Sequence, residues 1–174
     1  IWNFYDENEN LRRKEIWKDG KLNGQRIELE NENVQMSSNY VDGELDGEFI
    51  IYGKNKNIIH LIHYEKGRKN GKEILYNEAG KVKKETDYKN NMKYGTEKEY
   101  SDDGEILLLE ANYVEGLLHG SYVSFHEDGN RKFEGRAMDG KFHGEAYFYD
   151  KNGDLESEVI YEHGEVARKI EHKK

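Results

Sequence analysis

Hydrophobic and polar residues alternate along this chain in short runs that restart on a fixed beat. Ile58, His60, Ile62 and Tyr64 share one face of an extended segment, and Ile50 with Tyr52 share a face of the segment before it. Successive side chains of a strand point to opposite faces, so period-two patterning predicts strands here. Ile74 with Tyr76, Val123 with Phe125, Tyr147 with Tyr149, and Leu155 with Val159 and Tyr161 repeat the pattern. On this reading Phe49, Ile51, Leu75, Leu108, Phe148 and Ile160 point to the opposite face, and Lys84 and Lys98 thin the stripe where they interrupt it.

The beat is set by an aromatic residue followed by glycine three and seven positions later. The copies are Trp17, Gly20, Gly24; Tyr40, Gly43, Gly47; Tyr64, Gly67, Gly71; Tyr88, Asn91, Gly95; Tyr113, Gly116, Gly120; Ala137, Gly140, Gly144; and a partial copy at Tyr161 and Gly164. They begin 23, 24, 24, 25, 24 and 24 residues apart, the signature of a tandem array. Asn91 replaces glycine in the first slot. Asn is the residue after Gly that best tolerates positive φ, so this slot predicts a left-handed hairpin turn. The second slot reads as a close-packing position, where a β-carbon would strike a neighbouring aromatic or strand.

A second turn lies half a period away. Tyr76 to Gly80, Tyr100 to Gly104, Phe125 to Gly129 and Tyr149 to Gly153 each pair an aromatic with a glycine four residues on. Leu29 to Asn33 is a weaker copy. Tyr5 to Glu9 and Tyr52 to Lys56 lack the glycine and predict looser turns or turns of another type. Two turns per period leave two short strands, as in Glu48 to Tyr52 and Ile58 to Tyr64. The fold expected is all-β: an elongated, single-layer antiparallel β-meander of tandem β-hairpin repeats of about 24 residues. Residues 1–174 then form a single repeat domain of about seven repeats, the first and last incomplete. The extra residue in the copy at 88–112 predicts a β-bulge near Ile106 to Leu109. The charged tail from Arg168 to Lys174 would blunt the sheet edge.

Composition sharpens this picture. Only 34% of residues are hydrophobic and 36% are charged, with a mean hydropathy of −1.11. That is a thin inventory for a compact core. The 13 tyrosines suit a single layer, burying a ring while the hydroxyl reaches water. The net charge is −9, which argues against nucleic acid and against anionic membranes as partners, since both require a basic surface. Acids are densest from Glu97 to Glu115, including Glu99, Asp102 and Asp103, with Lys98 as the sole base in the interval. With no cysteine there is no disulfide and no thiolate chemistry.

Tyr-x-x-Gly-x-x-x-Gly followed by an aromatic and Asp-Gly or Asn-Gly resembles the MORN repeat. Asp139 to Gly153 carries the pattern most fully, and is similar to the variant form (MORN type 2) found in bacterial proteins that include the YwqK-family antitoxins. The resemblance implies a meander of hairpins, one per repeat, used as an interaction scaffold. Ala137, Asn91 and the glycine-less turns near Glu9 and Lys56 depart from the pattern.

No catalytic, cofactor-binding or metal-binding residue is assigned. His119 and His143 share a slot that elsewhere holds Asn23, Asp46, Asn70 and Tyr94, which reads as turn chemistry. Equivalent residues of adjacent repeats stand roughly 9–10 Å apart, at about 4.8 Å per strand, too far to share a zinc ion. His60 and His63 point to opposite faces, and His126 and His163 sit alone in turns. The expectation is therefore a non-enzymatic β-repeat scaffold for protein–protein interaction. The alternatives are an antitoxin or immunity protein that neutralises a toxin, and an exported cell-surface or adhesion protein. Candidate contact residues are Leu117 and Leu118, placed in a turn, with Glu97, Glu99, Asp102 and Asp103 for a basic protein or toxin. Self-association through sheet edges or an exposed apolar face is a further expectation. The chain opens in mid-repeat without Met, and a secreted or cell-envelope location of a bacterial protein is expected over a cytoplasmic one.

Overall fold

The structure is a computed structural model that describes residues 1–172. Lys173 and Lys174, at the end of the charged tail, lie outside the described residues. The chain divides into two compact units. The first, Ile1–Val82 with Tyr88–Asn91, contains β1 (Trp2–Tyr5), β2 (Leu11–Lys18), β3 (Lys21–Glu30), β4 (Asn33–Val41), β5 (Glu44–Tyr52), β6 (Ile58–Glu65) and β7 (Arg68–Tyr76). β8 (Val82–Lys89) gives its ends to the first unit and Lys83–Asp87 to the second. The second unit continues from Met92 with β9 (Met92–Tyr100), β10 (Leu107–Val114), β11 (Leu117–Phe125), β12 (Arg131–Met138), β13 (Lys141–Phe142), β14 (Gly144–Tyr149), β15 (Leu155–Glu162) and β16 (Glu165–Glu171).

Each unit is an antiparallel sheet whose strands lie in chain order, as a meander of hairpins requires. β13 pairs with β12 beside that path. Strands run through the second repeat glycine, as β5 does from Glu44 past Gly47, except where β14 starts at Gly144.

The first turn of each repeat is a two-residue hairpin with positive φ at both central positions, for example Asp42 (50°) with Gly43 (91°) and Glu115 (51°) with Gly116 (82°). This is the type I′ turn, whose twist matches that of the flanking strands. Asn91 takes φ of 68° in the glycine slot, as the sequence predicts. The turns are also tied from repeat to repeat. The N–H of Gly43 donates to Leu22 O at 2.8 Å, Gly67 to Leu45 O at 2.8 Å, Gly116 to Lys93 O at 2.9 Å and Gly140 to Leu118 O at 2.8 Å.

The second glycine combines the close packing against the neighbouring strand that the sequence suggests with a backbone reason. Gly24 takes φ of +124° and Gly120 +100°, values closed to L-residues at low cost. A β-carbon on Gly24 would lie 3.0 Å from the Ile16 side chain, and one on Gly120 3.4 Å from Asn112. The obstruction is thus the residue before the repeat aromatic of the same hairpin. The aromatic of the next copy lies directly across the sheet: Gly24 faces Tyr40, Gly47 faces Tyr64 and Gly95 faces Tyr113.

The second turns correct a further expectation. Lys56 takes φ of 62°, Gly53 N donates to Asn57 O at 2.8 Å, and Lys56 N to Gly53 O at 2.9 Å. Gly80 follows the same scheme, with Asn77 N to Lys81 O at 2.8 Å and Gly80 N to Asn77 O at 2.9 Å. The turn at Glu9 matches it too, so the glycine-less turns are of the same type. The turn that differs is at Asn31 and Glu32, both with positive φ, where Glu30 pairs with Asn33. One residue fewer in that turn accounts for the 23-residue copy. In the 25-residue copy, Ser101 N reaches Ile106 O at 2.8 Å, one residue further than elsewhere. The extra residue lies in the turn. The bulge that follows, between Leu107 and Leu109, has counterparts between Ile51 and Tyr52 and between Phe148 and Tyr149.

These bulges reassign the faces. Phe49 pairs with Ile62, Ile51 and Leu75 both pair with His60, and Phe148 pairs with Phe133. Directly opposed residues share a face. Phe49, Ile51, Leu75 and Phe148 therefore lie with Ile62, not opposite it, while Ile50, Leu61 and Ile74 form the other face. Leu108 sits at the bulge, and Ile160 is on the other face as expected, since Val159 pairs with buried Ala146. Burial separates the faces. Glu15, Ser38, Ile62, Glu97, Ala111, Phe133, Ala146 and Val159 are buried on the filled face, and Ser37 is buried on the other, open face.

Candidate functional site

The filled face is built by two residues of each repeat, two before the aromatic and nine after it. In the first unit these are Glu15, Arg26, Ser38, Phe49, Ile62 and Glu73, and in the second Thr86, Glu97, Ala111, Tyr122, Gly135, Ala146 and Val159. The aromatic of the following repeat leans over the residue at nine. Tyr64 meets Phe49 edge-on at 6.2 Å, and Tyr113 donates its hydroxyl to Glu97 Oε1 at 3.3 Å.

Glu97 is only 3% exposed, so it is not a surface contact. Lys93 Nζ lies 2.5 Å from its Oε2, Lys84 Nζ 3.3 Å, and the Thr86 hydroxyl donates to the same oxygen at 3.1 Å. Lys93 also lies over the Tyr113 ring at 4.6 Å. Burial pushes the Glu97 carboxyl up, but the hydrogen bond and charge of Lys93, with Lys84 and Thr86, outweigh it and hold the group below the ordinary carboxylate range. Burial and the Glu97 charge in turn push Tyr113 up.

Glu73 repeats this arrangement one copy earlier. Lys69 Nζ contacts both carboxylate oxygens at 2.8 Å, His60 Nε2 lies 2.8 Å from Oε1, and Lys69 stands 4.9 Å over the Tyr88 ring. Burial again opposes ionisation of Glu73, and Lys69, His60 and Tyr88 overcome it to lower its pKa. Glu15 forms the variant at the other end, with Arg13 Nε at 2.8 Å and a Trp17 Nε1 hydrogen bond at 2.8 Å. Each cluster is a carboxylate neutralised by bases from its own and neighbouring strands beneath an aromatic lid. Such a carboxylate is held by structural partners.

Cross-strand lysines pair much of the acidic interval. Lys84 bonds Glu99 at 2.5 Å, Lys83 reaches Asp102 at 2.5 Å and Lys98 reaches Glu110 at 3.4 Å. Asp103 accepts from Ser101 Oγ at 2.5 Å and Glu105 N at 3.0 Å within its turn. Local counting in the sequence found Lys98 but missed Lys83 and Lys84, because they come from the adjacent strand β8.

The histidine slot reaches the next repeat's turn. Asn23 Nδ2 donates to Asp42 Oδ1 at 3.4 Å, Asp46 Oδ2 accepts Lys66 N at 3.2 Å, and Asp139 N lies 3.5 Å from His119 Nδ1. His163 does not sit alone: its ring is 6.0 Å from that of His143. Neither does His126, whose Nε2 lies 3.0 Å from Tyr149 O. His60 and His63 do face opposite ways, one on Glu73 and the other on Lys72 O at 3.0 Å. Among the described residues no group of three or more His, Asp or Glu could hold a metal ion.

The open face of the second unit is accessible. An open groove of about 690 Å³ is lined there by Ser121, Val123, Glu134, Arg136, His143 and Tyr147 among others. Beside the first turns of this unit lie Met92, Val114, Leu117 and Met138, each between 40% and 50% exposed. Leu118 parts from Leu117: it pairs with Tyr113 and lies half-buried on the filled face. Leu117 and Leu118 belong to β11 rather than to the turn.

Two segments, residues 69–90 and 142–163, match the family model of the MORN repeat variant. They span one repeat each, in separate parts of the array, and support a MORN repeat protein. No curated protein matches the chain.

Proposed function

We propose that this protein is a non-catalytic scaffold that binds another protein through the open face of its second unit. The observation that carries the reading is the asymmetry of the faces. One is filled by charge clusters and aromatic rings, whereas the other presents Val123, Tyr147, Arg136 and His143 along a groove. A regular sheet tied turn to turn is a rigid platform, and exposed apolar groups on such a platform mark interaction surfaces. The MORN repeat match agrees with a scaffold.

The narrower reading is an antitoxin that covers a basic toxin. It rests on the resemblance, and predicts co-purification with a toxin at fixed stoichiometry. The general reading is tested by immobilising the full chain, recovering a partner from an extract of the source organism and rebinding it in purified form. A stoichiometric complex that is lost in the double variant Val123→Glu, Tyr147→Glu supports the scaffold. Failure to recover any saturable partner, or turnover of a substrate by the purified chain, overturns it.

A further inference from the structure

The first turn of every repeat is flanked by a cross-strand pair on the open face. In the first unit these pairs carry charge: Lys18 with Lys21, Val41 with Glu44, and Glu65 with Arg68. In the second unit Val114 pairs with Leu117, Met138 pairs with Lys141, Met92 holds the Leu117 slot one repeat earlier, and the last pair, Glu162 with Glu165, is charged again. Leu117 leans to the next turn, 3.6 Å from where a β-carbon on Gly140 would stand, and so closes the gap toward Met138. The result is an exposed rim of four apolar side chains over three consecutive turns.

The rim has acidic sides. Glu115 and Asp139 occupy equivalent turn positions beside it. Among the described residues Glu115 has no ion-pair partner, and the Asp139 side chain is 79% exposed with only His119 nearby at 3.5 Å. The pitch is regular. Two strands per repeat place successive turns roughly 9.6 Å apart, close to the ~10.5 Å that separates residues i and i+7 of an α-helix.

We propose that this rim docks one amphipathic helix of a partner protein, whose apolar stripe repeats every two turns and whose flanks are basic. Lysines beside the stripe would meet Glu115 and Asp139, and the apolar side chains would cover Met92, Val114, Leu117 and Met138. The inference rests on the scaffold reading and narrows it to a ligand class.

The test is a titration of the full chain against a labelled amphipathic peptide of about 18 residues, with leucines at seven-residue spacing flanked by lysines. The expected result is saturable binding that weakens by about tenfold or more in Leu117→Glu, Met138→Glu. Glu115→Lys with Asp139→Lys should shift preference to the peptide whose lysines are replaced by glutamates. Equal binding by parent and rim variants, indifference to peptide charge, or no binding by the parent overturns the proposal. So does rim-dependent binding to phosphatidylcholine vesicles in place of the peptide, which makes the rim a lipid contact. If the partner recovered from the extract binds the rim variant as well as the parent, the helix inference falls while the scaffold reading stands. If no partner is recovered at all, the scaffold reading falls.

Discussion

Glu97 and Phe133 lie on the same face of the second unit but fill it in opposite ways. Around Glu97, two lysines, a threonine and a tyrosine surround a buried carboxylate. Around Phe133, the rings of Tyr122, Phe142 and Phe148 pack edge-on at 5.7, 5.1 and 4.7 Å. Ala137 stands where other copies carry the aromatic, and Phe142, directly opposite it, fills the space. The backbone is the same hairpin in both places. Turn geometry fixes the frame, and the face can be closed by ion pairs or by aromatic contacts provided the volume is met.

That comparison can be broken from either side. Phe133→Ala removes a ring that touches three others and should cost about 3–5 kcal/mol, read as a fall in melting temperature. Glu97→Ala strands Lys84 and Lys93 over a gap. Its cost should be about 3 kcal/mol, the low end for breaking a buried pair, because both lysines keep access to water. Gly120→Val should cost roughly 1–3 kcal/mol, mainly through positive φ and secondarily through Asn112. A melting temperature equal to the parent's would refute the backbone reason for that glycine. Leu117→Glu should change stability by less than about 0.5 kcal/mol, since its side chain meets solvent.

Acid and base separate the two regions further. The folded pKa values of Glu73 and Glu97 are lowered, so their stabilisation is present above the ordinary carboxylate value of about 4.3 and is lost as pH falls through the depressed values. Tyr149 shows the opposite sign. Burial and its hydrogen bond to Glu134 raise it to about 12. Its contribution is complete below about pH 10 and disappears as pH rises toward 12. Melting curves across pH should therefore show an acid limb that Phe133→Ala leaves in place, and an alkaline limb that Tyr149→Phe reduces.

The frame was legible because its causes are local. A positive φ selects Gly or Asn wherever it occurs, so Asn91 exposed the turn, and the spacing of copies exposed the meander. The faces were not legible by simple alternation. The bulge at each second turn moves every residue beyond it, so Phe49 and Leu75 changed sides. The charge clusters were missed although a signal existed. Lys69 with Glu73 and Lys93 with Glu97 occupy identical repeat slots, four residues apart on one strand face. The rim was half legible: Leu117 is in it, whereas Met92, Val114 and Met138 drew no attention as isolated apolar residues and become a surface only when the turns are set side by side.

The most direct test of the account is the pH dependence of melting in a chain carrying Lys93→Met and Glu97→Leu together. Similar volumes retain the packing while the ion pair disappears. The account predicts a folded β-sheet protein with a smaller loss of stability on acidification than the parent. An acid limb identical to the parent's would contradict the claim that buried carboxylate clusters close this face of the sheet.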